Sequence, residues 1–214
     1  MFQFIKYKVI YLIFFFLFVF LNSCGTLKKE KLFKSKGLTI SYRSFNRLGP
    51  DYVHINPNHP VKISAQEIEA QLKALEYKPF KPRSKLAPVF SKDRVKKVVH
   101  LLKKGLNQAN QQNYLHFELI TPKGMTEGDV FSANGFIHWR IWKINGVHYS
   151  NDPLGIRKKT WKLIPKSSGN RYFVSSVSDV KKEKQNWIVV NFDILTKKQE
   201  KKIALGPTNE NIYI

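Results

Sequence analysis

The sequence has very little cysteine. Among its 214 residues there is one, Cys24, and there are only two methionines. A single thiol excludes an intramolecular disulfide, and it excludes a metal site built from several cysteines. A hydrophobic core therefore has to hold the fold. A hydrophobic fraction of 43%, with 14% aromatic residues, is enough to build one, and the length suits a single domain.

Acidic residues are also scarce, with 15 Asp and Glu against 37 Lys and Arg, which gives a formal charge of +22. Only seven of the basic residues are arginines, whereas recognition of bases and phosphates favours the forked guanidinium group. The lysines are spread along the whole chain and are not interleaved with aromatic side chains that could stack on bases. Nucleic acid is therefore not the expected partner. Two interpretations remain: a lysine-rich composition with no binding role, or attraction to other anionic material.

Sequence signatures of catalysis and of cofactor binding are missing. There is no G-x-S-x-G nucleophile motif, no phosphate-binding P-loop and no dinucleotide fingerprint. The six histidines are scattered, and no two stand four residues apart, as zinc ligands on a helix do. We therefore predict no catalytic residues, no metal and no cofactor, and we favour a protein without catalytic activity over an enzyme.

The N-terminal region carries the most informative pattern. Lys6 and Lys8 precede an apolar run, Val9–Leu21, which is too short to span a bilayer comfortably but has the length of a signal-peptide core. Ser23, a small residue, stands directly before Cys24. This arrangement resembles the lipobox of bacterial lipoproteins.

The resemblance implies a location. In that family the signal is cut before the cysteine, and both the thiol and the new amine are acylated. Residues 1–23 would then be the signal peptide, and Cys24 would carry the fatty acids, which hold a protein on a membrane once there are two or more of them. Gly25 stands where an aspartate retains enteric lipoproteins at the inner membrane, which implies the periplasmic face of the outer membrane. The alternative is an uncleaved N-terminal membrane anchor with an incidental cysteine.

The rest of the chain divides into two parts. Residues 24–37 are rich in lysine, and we interpret them as a tether to a single periplasmic domain, residues 38–214. Within that domain the patterns run from a strand to two helices and then to a series of strands. This order predicts an α+β fold with about two helices packed on a mainly antiparallel sheet. The body also bears a faint resemblance to uncharacterised outer-membrane lipoproteins of proteobacteria, from which no mechanism follows.

Three local signals place elements of this fold. Ser64 and Glu67 form the capping box of the first predicted helix. Ser91 is the expected N-cap of the second helix, whose apolar residues recur at helical spacing. Asn145 and Gly146 are typical of the two-residue loop of a β-hairpin.

The second predicted helix offers a candidate binding surface. Its polar face is basic, and the residues that we select from it are Lys96, Lys97, Lys103 and Lys104. Trp139 is added because Trp139 and Trp142 differ in parity along one predicted strand, so at least one of them is expected to be partly exposed. The alternatives are a merely solvated helix face and two tryptophans that are both covered.

These observations favour an outer-membrane lipoprotein that acts as a non-catalytic binding or assembly component of the cell envelope. Its partner would be an acidic protein or an anionic envelope polymer, and its lipid anchor would hold it on the membrane. The alternative function is that of an envelope enzyme acting on peptidoglycan or lipopolysaccharide.

Overall fold

The computed structural model describes residues 32–35, 37–152, 156–166, 170–175 and 182–191, and for residue 32 and residues 50–54 it describes the backbone alone. The predicted signal peptide, Cys24 and the chain after residue 191 lie outside these residues. No helix within the described part of the chain is long and apolar enough to cross a membrane.

Eleven strands, two α-helices and a 3-10 segment make up the described fold. In chain order the strands are β1 (Leu32–Ser35), β2 (Leu38–Ser44), β3 (Glu76–Pro79), β4 (Ala87–Pro88), β5 (Asn113–Thr121), β6 (Gly124–Ala133), β7 (Phe136–Ile144), β8 (Val147–His148), β9 (Trp161–Ile164), β10 (Asn170–Ser175) and β11 (Lys182–Asn191). The helices are α1 (Ala65–Ala74) and α2 (Lys92–Gln108), and the 3-10 segment is Phe45–His54.

The strands form two sheets. The main sheet has eight strands in the order β1-β2-β5-β6-β7-β11-β10, with β8 paired to β7, and each pairing is antiparallel. A small sheet has the order β4-β3-β9. Both helices pack on the main sheet, which confirms the predicted α+β class.

Local sequence signals explain how the helices begin. The capping box of α1 is present: the Ser64 N–H donates to Glu67 Oε2 at 2.7 Å, and the Glu67 N–H donates to Ser64 Oγ at 3.2 Å. Helix α2 begins after Ser91 as predicted, but the Ser91 side chain makes no capping hydrogen bond to the helix backbone. The apolar stripe of α2 is buried against the sheet, which leaves its basic face outward.

The hairpin between β7 and β8 has the predicted loop. Asn145 has a φ of 49° and Gly146 a φ of 83°, the left-handed values that a type I′ turn requires at both positions. Ile144 pairs with Val147, in the register expected for a two-residue loop. A second Asn-Gly pair makes the turn between β6 and β7 in the same way.

One boundary differs from the prediction. Leu32–Ser35, which was predicted to belong to the tether, forms strand β1 and pairs with Leu38–Ser41 of β2. The turn at Gly37, with a φ of 82°, lets the chain fold back on itself. The lysine-rich composition of this stretch hid the strand, and the lysine within it, Lys34, is exposed on an edge strand where solvent remains accessible.

The two faces of the main sheet differ in chemistry. Alternate residues of the central strands point to the helices and form the apolar core: Leu115, Phe117, Leu119, Ile137, Trp139, Ile141, Ile188 and Val190. Towards the 3-10 segment the other face carries a smaller aromatic cluster, which includes Phe45, Tyr114, Phe131 and Trp187. Next to that cluster, the same face carries charged side chains.

Candidate functional site

The lysines predicted as a binding surface lie where the helix pattern places them. Lys96, Lys97 and Lys104 are exposed, and Lys103 is partly buried. The Nζ of Lys104 lies 5.3 Å from the centre of the Phe33 ring, so the basic face of α2 borders strand β1. Among the residues that the structure describes, no carboxylate forms an ion pair with any of these four lysines.

The choice of Trp139 for this surface is wrong, and of the two tryptophans Trp142 is the partly exposed one. The Trp139 side chain is fully buried, and its Nε1 donates to Gln71 Oε1 of α1 at 2.7 Å. The reason is the parity of β7: Trp139 shares the helix-facing side with Ile137 and Ile141, so the helices cover it. Trp139 therefore belongs to the core and takes no part in a surface.

A charged cluster crosses the central strands on the other face of the sheet. It consists of His116 and Glu118 from β5, Glu127 and Asp129 from β6, and Arg140 and Lys143 from β7. The strand register creates it, because His116 pairs with Asp129, which pairs in turn with Arg140. In the same way Glu118 lies opposite Glu127.

Asp129 is the centre of the charged cluster and is almost completely buried. Its Oδ1 lies 2.8 Å from His116 Nδ1. Its Oδ2 accepts from Arg140 Nε at 3.0 Å, from Arg140 Nη2 at 2.8 Å and from Trp142 Nε1 at 2.7 Å. Burial by itself raises the pKa of Asp129, but the hydrogen bond to His116 and the charge of Arg140 outweigh it and hold the pKa below its usual range. Asp129 is therefore a fixed anion.

The anion at Asp129 orients the His116 ring. Because both Asp129 oxygens act only as acceptors, His116 Nδ1 carries a proton and donates a hydrogen bond to Oδ1. In a neutral imidazole the other nitrogen, Nε2, then holds a lone pair. His116 Nε2 is buried and makes no hydrogen bond with any residue that the structure describes. A buried nitrogen of this kind is costly unless something binds it.

Two carboxylates flank this nitrogen. Glu118 Oε1 lies 3.4 Å from His116 Nε2, and Glu127 Oε1 lies 3.6 Å from it. The second oxygen of Glu127 pairs with Lys143 Nζ at 3.2 Å. The Glu118 side chain is 40% exposed and that of Glu127 is 20% exposed, so the flanking carboxylates reach solvent while the histidine does not.

A separate cavity lies on the same face at the β10 edge of the sheet. It has a volume of about 340 Å³, and Phe136, His138, Arg171 and Phe173 are among its lining residues. The Arg171 guanidinium stacks on the Phe136 ring at 4.7 Å. Both nitrogens of His138 are engaged, one with the Ala133 carbonyl and one with Trp187 Nε1. This histidine is therefore held by the fold and is not available as a catalytic group.

Sequence reasoning missed the charged cluster because it searched for ligand spacing within single elements. His116 is far in sequence from every other histidine, and its partners come from the neighbouring strands. The available signal was the alternation itself: His116 and Glu118 on one side of a hairpin, Glu127 and Asp129 on the other, all on the same face.

Comparison with known protein families, with curated proteins and with solved structures gives no match for this chain. Its function must therefore be argued from its own residues.

Proposed function

We propose that this protein is a lipid-anchored, non-catalytic binding or assembly component of a bacterial envelope. In this proposal the lipid is attached at Cys24 and holds the domain at the periplasmic face of the outer membrane. The basic face of α2, with Lys96, Lys97, Lys103 and Lys104, then engages an acidic protein or an anionic envelope polymer.

The binding role is supported by the lysines on this face of α2, which form no salt bridge with a described carboxylate. Four lysines lie within nine residues and have no ion-pair partner among the described side chains. The strong excess of positive charge in the whole chain adds to their field. Such a field attracts anionic partners and raises association rates, and both effects fall as salt screens the charges.

A charge-neutralising variant tests this role. In Lys96→Gln/Lys97→Gln/Lys103→Gln/Lys104→Gln we expect crosslinking capture of envelope partners at low salt to fall strongly, because the local positive field is removed. Wild-type capture should also weaken steeply as salt rises.

A matched control separates a specific surface from total charge. Lys81→Gln/Lys85→Gln/Lys158→Gln/Lys159→Gln removes the same charge from four exposed positions outside α2. Capture should be retained in this control. Equal loss in both variants would contradict a docking role for α2 and would favour a non-specific effect of net charge.

One observation favours the second candidate function, that of an envelope enzyme acting on peptidoglycan or lipopolysaccharide. The charged cluster gathers a histidine and three carboxylates from two strands, as a hydrolytic site would. Incubation of the purified chain with peptidoglycan tests this candidate. Release of soluble fragments by wild type and not by Glu118→Gln would support the enzyme, and no release by either would remove it for that substrate.

A further inference from the structure

Three donor atoms of the charged cluster converge on one point near the surface. They are His116 Nε2 and one carboxylate oxygen each from Glu118 and Glu127, and they all lie within 4.8 Å of one another. We propose that His116, Glu118 and Glu127 bind a divalent transition-metal ion, and that zinc is the ion this donor set fits. This site depends neither on the lipid anchor nor on the basic face of α2.

The free nitrogen of His116 is the first argument. Its side chain is 2% exposed, and its Nε2 has no hydrogen-bond partner among the described residues. The nearest charged atoms are the two carboxylate oxygens at 3.4 and 3.6 Å, which are too far for a good hydrogen bond. A buried ring nitrogen that faces two carboxylates without a hydrogen bond is a place where a cation can bind.

The spacing of the donors is the second argument. Zinc binds nitrogen and carboxylate oxygen at about 2.0–2.2 Å in tetrahedral geometry, so neighbouring ligand atoms lie roughly 3.3–3.5 Å apart. The observed separations of 3.4 and 3.6 Å from Nε2 match this value closely. The three donor atoms all lie within 4.8 Å of one another, so adjustment of the two glutamate side chains would bring them to zinc-binding distance.

The support behind His116 is the third argument. Histidines that bind metals donate their other ring N–H to a carboxylate or a carbonyl, which fixes the tautomer and orients the ring. Asp129 provides this support through its 2.8 Å contact with Nδ1. Arg140 and Trp142 hold Asp129 in turn, so the supporting group is fixed before any metal arrives.

The choice of ion follows from the donors. Imidazole suits zinc, copper, iron and nickel, whereas sites for magnesium and calcium use oxygen ligands alone. Three protein ligands leave a fourth position for water, as in zinc sites that remain open. The partial exposure of Glu118 and Glu127 gives the ion a path from solvent.

Lys143 sets the strength of the site. Its Nζ lies 3.2 Å from Glu127 Oε2, on the carboxylate that would bind the metal through Oε1. The ammonium group repels a bound cation and withdraws charge from the ligand. Removing the Lys143 charge should therefore tighten metal binding. If the Lys143–Glu127 ion pair were only structural, its loss would not change the metal affinity.

The test uses the full, untagged chain in detergent, stripped of metal with a chelator and titrated with Zn²⁺ by calorimetry near pH 7. We expect one ion per chain. Glu118→Gln keeps the shape of a partly exposed side chain and removes a ligand. It should weaken the affinity by at least about 10-fold, since loss of a group that only supports a ligand already costs roughly 10-fold to 100-fold. Lys143→Gln should strengthen it several-fold, and Co²⁺ should give the visible absorption of a four-coordinate site with wild type but not with Glu118→Gln.

Glu69→Gln is the matched control, because Glu69 lies on α1 in an ion pair with Lys73, outside the charged cluster. It should bind Zn²⁺ as wild type does, and far-UV circular dichroism should show that every variant is folded. The proposal is overturned if the wild type binds no Zn²⁺. It is also overturned if Glu118→Gln binds Zn²⁺ as tightly as Glu69→Gln, since the ion would then be adventitious.

Discussion

The two faces of the main sheet use the same strands for different purposes. The face towards α1 and α2 is apolar, and its large side chains interdigitate with the helices. The opposite face buries two histidines, an aspartate and an arginine beside an aromatic cluster. Adjacent residues can therefore have opposite roles: Gly128 lies against the core side chains, and Asp129 is the centre of the charged cluster.

The two faces are expected to contribute differently to the free energy of unfolding. Burial of apolar side chains is the main stabilising term in folding. A buried ion cluster is weak evidence for stabilisation, because removing its charges from water offsets most of their attraction. The helix-facing side is thus sufficient to explain why the chain folds, whereas the charged cluster is consistent with a ligand-binding role.

The largest expected effect is a loss of stability in acid, because the charged side of the sheet contains buried histidines that must stay neutral in the fold. His138 lies on the charged side of the sheet, and His59 packs at the end of the same face. Burial is the main cause that lowers the pKa of each to about 4, from an ordinary value near 6.5. His59 Nε2 accepts a hydrogen bond from the Ser132 N–H, and His138 Nδ1 accepts one from Trp187 Nε1, so each ring must be neutral in the fold.

The sign of the effect follows from these lowered values. Between pH 6.5 and pH 4 the unfolded chain binds more protons than the folded chain, so stability is complete above pH 6.5 and is lost as the pH falls towards 4. Each histidine should remove roughly 3 kcal/mol of unfolding free energy over this range. Urea unfolding at a series of pH values measures the loss. His100→Gln, at an exposed position of α2, should leave the profile unchanged, and a flat profile in the wild type would contradict the account.

The second prediction removes the centre of the charged cluster. Asp129→Ala leaves the buried Arg140 without its counter-ion and leaves His116 without its acceptor. We expect the unfolding free energy to fall by about 3–5 kcal/mol, the cost of an unpaired buried charge. Urea unfolding checks this, and Glu69→Gln on the surface of α1 should leave the midpoint unchanged. A small loss in Asp129→Ala would show that Arg140 is not dependent on this partner.

The third prediction concerns the close packing of Gly128, the neighbour of Asp129 in β6, against the helix-facing core. In Gly128→Ala the added Cβ would lie 2.7 Å from the Arg140 carbonyl oxygen and 2.8 Å from Phe117 Cζ. Backbone cannot move as a side-chain end can, so we expect a loss of about 1–3 kcal/mol from overpacking. Thermal unfolding measures it, with Ser35→Ala on the exposed edge strand as a control near zero. Unchanged stability would mean that β6 and the core are less tightly packed than the distances imply.

Elements with strong local chemistry could be predicted from the sequence. The capping box at Ser64 and Glu67 and the loop at Asn145 and Gly146 each depend on residues that are close in the chain, and both were confirmed. The fold class followed from the order of such elements. Strand β1 was not predicted, because its pairing with β2 depends on a turn at Gly37 inside a lysine-rich stretch.

The candidate site was much harder to predict. Four of its members come from strands β5 and β6, and the register of that pair brings them together. A sequence pattern shows that His116 and Glu118 share a face of one strand, but it does not show which residues lie opposite. The mistake at Trp139 has a related cause. The parity of a residue shows which side of a strand it lies on, but it does not show that helices cover one side and aromatic side chains cover much of the other.

The functional account depends most directly on the state of Cys24. The decisive measurement is metabolic labelling of growing cells with a fatty-acid analogue, comparing wild type with Cys24→Ala and followed by membrane fractionation. We predict that the wild type carries label and sediments with the outer membrane, and that Cys24→Ala carries none. An unlabelled wild-type chain that still begins at residue 1 would contradict the lipid anchor and the proposed location.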